Sequence, residues 1–262
     1  MLILLPPSEG KSQAFSNKKY ESGTLSFSEL DKQRDAVMTR LISLSKKPTA
    51  ARAALKLSPH QNTELVRNIE LRSASVAPAR EIYSGVLFEA MGLKDFTEPQ
   101  LKRAQERVLI TSSLFGLVRP NDVIPPYRLS GDSPLPVVGT PASFWKKHLT
   151  STMKELGSHF IVDMRSGTYA KFWTPTAQQA ASMVTIKIMQ EVGTGSTKRK
   201  LAVTHFNKAT KGRIAKFLAT TTKIITDSET LQFELQAQGW VTDLIETSAG
   251  KPNILEIIIT EI

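Results

Sequence analysis

SSLFGLVRPNDVIPPYRLSG, residues 112–131, has the wrong composition for a plain surface loop. An apolar run (Leu109, Ile110, Leu114, Phe115, Leu117, Val118) carries two hydroxyls, Ser112 and Ser113, at its centre and breaks at Gly116. Arg119-Pro120, Asp122, Pro125-Pro126 and Tyr127-Arg128 follow. The three prolines fix φ and push the residues before them towards extended geometry. The connection is therefore stiff, and a stiff segment with two arginines, an aspartate and a tyrosine costs little entropy to hold as a binding surface. The competing reading is structural: a Pro-rich crossover whose arginines pair with Asp122 and another carboxylate.

Outward from that stretch, strands and helices alternate. Leu109–Leu114 reads as a strand running into it, and Leu2–Leu5 as a buried strand stopped by Pro6-Pro7. Between them the pattern is helical: Ser28 to Ser45, Pro59 to Ser73 with Ser58 as N-cap, Pro78 to Met91, and Glu98 to Leu109 capped by Thr97. Downstream come a helix over 140–156, a strand over 160–164 and a hairpin of 183–192 with 199–205. Helices over 207–219 and 228–238 precede strands over 240–246 and 253–259. The expectation is a single α+β (mixed α/β) domain over residues 1–262, with a central mixed sheet and an inserted helical block near 29–107.

Composition narrows the chemistry. The 262 residues suffice for a sizeable core, and with no cysteine there are no disulfides, thiolate metal sites or Cys nucleophiles. His60, His148, His159 and His205 lack metal-ligand spacing, so no metal or other cofactor is expected. Four apolar residues before Pro6-Pro7 are too few for a signal sequence, and no run approaches a membrane span. A cytoplasmic protein without a membrane partner is expected. The net charge of +10 favours a polyanionic partner.

Polar residues crowd the segments after the strands: Ser8, Glu9 and Lys11; Arg119, Asp122, Tyr127 and Arg128; Asp163, Arg165, Ser166 and Tyr169; His205, Asn207, Lys208 and Lys211. Ser8-Glu9-Gly10-Lys11-Ser12 is not a Walker loop, because Leu5 stands where the first glycine belongs. Open sheets bind ligands outside strand ends, so neighbouring strands would gather this set in one place. Ser8, Lys11, Arg119, Arg128, Lys208, Lys211 and Arg213 suit phosphate, and the helix after His205 adds a positive dipole end. Tyr127 or Tyr169 could stack on a base. Tyr127, Asp163, Ser166, Tyr169 and His205 are the catalytic candidates, with Asp163 or Glu9 as general base. Alternatively, Asp163 pairs with Arg165 or Arg128 inside the fold.

The sequence resembles the YaaA family of bacterial peroxide stress proteins. The resemblance rests on the N-terminal strand running into Pro7-Ser8 and Lys11, on Ile82-Tyr83-Ser84-Gly85 with Leu87, and on residues 112–129. Phe144-Trp145, Ser166 with Tyr169, and Phe206 with Lys208, Lys211 and Gly212 complete it. It implies a mixed fold with a helix-hairpin-helix-like element in the helical block. It further implies a positively charged cleft that binds duplex or unusual DNA, and a role against peroxide and intracellular iron. Where the family has an acidic residue ahead of the tyrosine, this chain has Ser166-Gly167-Thr168-Tyr169. Two functions follow as expectations: a DNA-binding stress protein, or an enzyme acting on a nucleotide or nucleobase-like molecule, for example by glycosidic-bond cleavage.

Overall fold

A computed structural model describes residues 1–156, 159–165, 167–193, 199–202 and 207–259. The first strand, β1 (Leu2–Leu5), is buried at every position, as its unbroken apolar sequence requires. A helical stretch follows: a 3₁₀ turn (Ser28–Leu30), α1 (Asp31–Ser45), α2 (Pro48–Leu55) and α3 (Asn62–Ile69). A short strand β2 (Ala77–Pro78), α4 (Ala79–Ile82), α5 (Val86–Met91) and α6 (Glu98–Arg107) complete it. Next come β3 (Val108–Ser112), β4 (Gly116–Val118), β5 (Val123–Ile124), α7 (Pro141–Glu155) and β6 (Ile161–Asp163). The remainder is α8 (Ala177–Ala181), β7 (Met183–Val192), β8 (Arg199–Ala202), α9 (Asn207–Thr220), α10 (Ser228–Ala237), β9 (Val241–Ile245) and β10 (Asn253–Ile259).

Eight strands form one mixed sheet in the order β4-β3-β1-β6-β7-β10-β9, with β8 pairing on β7. The central five, β3-β1-β6-β7-β10, run parallel. β4, β8 and β9 are antiparallel to their neighbours. The direction of winding reverses at β1: β3 lies on one side of it and the later β6, β7 and β10 on the other. That reversal opens a crevice at the carboxyl ends of β1 and β6, where open α/β sheets take their ligands. The mixed α/β class expected from the sequence is the observed one. Among the described residues no helix is long and apolar enough to cross a membrane.

Three expectations need correction. Pro59 to Ser73 is helical only over α3, Asn62–Ile69, and a helix that was not expected, α2, precedes it, with Pro48 in its first turn and left-handed Lys56 at its end. Pro78 to Met91 is interrupted, since Tyr83 is extended and Gly85 has φ 100°. The strand before the Pro-rich stretch stops at Ser112, and the chain turns back there into β4.

That stretch lies inside the protein. Ser112 Oγ accepts from the Phe115 N–H at 3.0 Å to close the turn. Gly116 (φ 75°) packs so tightly under the Trp145 ring that an added Cβ would sit 2.7 Å from it. Trp145 Nε1 donates to Ser113 O at 2.8 Å. Arg34, wholly buried, donates to Phe115 O (3.1 Å) and Leu117 O (3.0 Å).

Candidate functional site

Immediately after β1, the segment from Pro6 to Lys11 is locked in shape by its own polar groups. Ser8 Oγ donates to Gly10 O at 2.6 Å and accepts from the Ser84 N–H at 3.1 Å. Lys11 folds back so that Nζ donates to Ser8 O at 2.8 Å and lies 4.0 Å over the Tyr127 ring. Only 8% of Lys11 is exposed, and burial, reinforced by the Arg128 charge, lowers its pKa to about 7. Below it, the Tyr127 hydroxyl is 2.8 Å from Ser112 Oγ and 3.1 Å from the Tyr83 hydroxyl.

A cavity of about 740 Å³ opens over this segment. One wall is the start of α5 with the Ser84-Gly85 break before it, and another is the end of α2 with Arg128, Ser130 and Asp132. Met164, Thr168 and Tyr169 come from the loop after β6, and Asn207, Lys208 and Lys211 from the first two turns of α9. Four cations (Lys56, Arg128, Lys208, Lys211) therefore face it against two carboxylates, Glu9 and Asp132. Both carboxylates are engaged, Glu9 with Arg128 at 3.1 Å and Asp132 with Lys56 at 2.5 Å. The cavity thus offers excess positive charge on a rigid frame, at the sheet's winding reversal.

The candidates divide. Ser8, Arg128, Tyr169, Lys208 and Lys211 line the cavity, and Lys11 stands behind its floor. Arg128 is aimed by Asn68, whose side-chain amide bonds the Arg128 backbone N–H and carbonyl at 2.9 Å each. Lys211 is not on the exposed basic face of α9 but 4% exposed, donating to Met164 O at 3.0 Å. Desolvation lowers its pKa to about 8, partly offset by the Asp163 charge.

Other candidates do structural work. Asp163 is held face to face with Arg165 at 2.9 Å through both oxygens, and Arg165 reaches on to Tyr169 O and Trp173 O. That buried pair shapes the turn that presents Thr168 and Tyr169. Arg119 binds the carbonyls of Gln105 (2.6 Å) and Glu106 (2.9 Å) at the end of α6. Asp122 takes the Arg119 N–H and Ser26. Tyr127 is sealed under Lys11, and Arg213 is exposed outside the lining. Ser166 and His205 lie outside the described residues.

Lys56, Ser84, Gly85, Asp132, Thr168 and Asn68 are not among the site residues expected from the sequence, although Ser84-Gly85 helps carry the family resemblance. Lys56 and Asp132 are 76 residues apart, with no local signal joining them. Ser84-Gly85 did carry one: a Ser-Gly turn dipeptide inside an apparent helix. Among the described residues no group of three or more His, Asp or Glu could hold a metal ion.

The sequence profile of the family described as "Peroxide stress protein YaaA" matches residues 1–243. The chain belongs to that family. It is similar along its whole length to a UPF0246 protein of Streptomyces coelicolor, 34% identical over 271 residues and covering 100% of both chains. A UPF0246 protein of Corynebacterium efficiens is 34% identical over 263 residues, covering 99% of this chain and 100% of that protein. One from Corynebacterium glutamicum is 33% identical over 247 residues, covering 93% and 95%. The cavity residues from Pro6 to Lys211 all fall inside the matched span.

Proposed function

We propose that this chain is a cytoplasmic peroxide stress protein that binds DNA over the mouth of the cavity, drawing one nucleotide or unpaired base into it. The observation that supports this reading is the cationic excess around the hollow: Lys208 and Lys211 have no carboxylate partner among the described residues, whereas Glu9 and Asp132 are both occupied. A hollow of about 740 Å³ is the size of a small-molecule site, so a duplex stays outside and a single nucleotide fits. The helix-hairpin-helix-like element of this reading is α4, the Tyr83-Ser84-Gly85 break and α5, of which Ser84 to Phe88 line the cavity.

Such binding is dominated by phosphate contacts and falls steeply with salt. A titration of labelled duplex and of duplex with an unpaired bubble tests it. The bubble binds more tightly, and each of Lys56→Ala and Lys208→Ala lowers the slope of log K against log salt by about one. Absence of a salt-sensitive shift with either DNA at low ionic strength refutes the reading.

A second reading, an enzyme acting on a free nucleotide-like molecule, is favoured by one observation: two enclosed lysines whose pKa values burial lowers to about 7 and about 8. Thermal stabilisation by mononucleotides, without any DNA shift, would select it.

A further inference from the structure

The cations around the cavity are not equivalent. Lys56 is tied to Asp132 and Arg128 to Glu9, while Lys208 stands exposed to solvent at the start of α9. Lys211, one turn further along, is different. It is 4% exposed, lines the cavity, and has no carboxylate within ion-pair distance among the described residues. Among the described residues its one hydrogen bond is to Met164 O, which engages one of its three protons. The carboxylate whose charge it feels, Asp163, is paired with Arg165.

Burying an ammonium with one neutral acceptor costs stability that an apolar residue at the same place would not. Charge alone does not call for burying this ammonium, since Lys208 offers an exposed cation, without a carboxylate partner among the described residues, at the mouth of the cavity. An amine nucleophile gains a great deal, because desolvation makes the free base accessible near neutral pH. With its pKa brought to about 8, Lys211 has that character.

We propose that Lys211 is an imine-forming nucleophile that captures an aldehyde carried beside a phosphate group, the phosphate being held by Arg128 and Lys208. Lys211 Nζ, once it gives up a proton, attacks the carbonyl carbon, whose oxygen takes up that proton to form a carbinolamine. Loss of water leaves a protonated imine, so that ammonium and aldehyde become iminium and water with charge conserved. Two sources share this chemistry: the ring-opened sugar of an abasic site in DNA, and a free phosphorylated aldehyde. The first rests on the DNA-binding reading above and the second does not.

Reductive trapping with cyanoborohydride tests it on the unaltered protein, with a duplex holding one abasic site in one arm and glycolaldehyde phosphate in the other. The expected result is a single reduced adduct that peptide mapping places on Lys211. Adduct with the duplex alone assigns the DNA source, with glycolaldehyde phosphate alone the free aldehyde. Lys211→Arg, which keeps the charge, loses trapping by about tenfold or more at an unchanged thermal midpoint. If that variant does not fold, the peptide map of the unaltered protein decides. No adduct, or adducts only on exposed lysines such as Lys56 and Lys208, overturns the proposal. A gel shift run alongside separates the two ideas: binding without trapping removes the imine and leaves DNA binding, and trapping of the small aldehyde without a shift does the reverse.

Discussion

At the scale of single residues, the site is built on polar groups sealed beneath it. Tyr127 shows this: its hydroxyl meets both Ser112 Oγ and the Tyr83 hydroxyl, and its ring carries the Lys11 ammonium. Removing that oxygen leaves buried partners short of a bond, so Tyr127→Phe is expected to cost about 1–3 kcal/mol in denaturant unfolding. Lys11 gives a pH signature. Its folded pKa, about 7, lies below the 10.5 of an ordinary lysine, so between those values the unfolded chain binds more protons. Stability therefore rises with pH across that window, by about 1.4 kcal/mol for each step of one in pH, and the full penalty is felt below pH 7. Lys11→Met removes the titration, so the wild type gains on the variant between about pH 7 and about pH 10, and parallel stability curves would refute this. Sequence alone singled out Ser8, Lys11, Arg128, Tyr169 and Lys208 because each follows a strand or opens a helix. It left the pairing of Asp163 with Arg165 open as an alternative, which the structure bears out, but offered no sign that Lys211 turns inward, because direction is set by packing against distant residues.

At the scale of elements, the wall of the cavity depends on how closely α5 and α9 approach. Gly212 permits it: a Cβ there would collide with Leu87 O and lie 2.8 Å from Ala90 Cβ. Gly212→Ala is expected to destabilise by about 1–3 kcal/mol and to weaken ligand binding as well, because Ser84 to Phe88 and Lys208 move with the two helices. A thermal melt paired with a binding titration checks both halves, and unchanged affinity would sever the packing from the site. Strands and long helices were legible: β7 spans Met183–Val192 as its apolar run suggests, and α7 starts after Thr140, whose side chain accepts from the Ser143 N–H. The α4–α5 break was masked, despite its Ser-Gly pair, because Leu87, Phe88 and Met91 continue the apolar spacing past extended Tyr83 and the N-cap Gly85, whose φ is 100°. α2 was missed because PTAARAAL has little but alanine on its apolar side, although Pro48 marks its start.

At the scale of the molecule, the sheet order puts the loops after β1 and β6 side by side, and the cavity follows from that order more than from any one residue. Adjacency of this kind is a long-range property that local periodicity does not encode. The charge balance at the mouth is adjustable. Glu9, with its side chain 61% exposed, competes for Arg128 with any incoming anion. Glu9→Gln is expected to raise the affinity for DNA severalfold at low salt with little change in stability, since an exposed ion pair contributes about 0–1 kcal/mol. An unchanged or weaker affinity would place the phosphate contacts elsewhere.

The place of β1 also has a bearing on how the protein is made. This wholly apolar strand is made before its two neighbours, which begin only at Val108 and Ile161. Until Val108 to Ser112 has been made, Leu2 to Leu5 has neither neighbour to pair with, and such distant pairing slows folding and leaves sticky backbone open to wrong partners. The topology that creates the hollow thus also makes the newborn chain a natural client for chaperones.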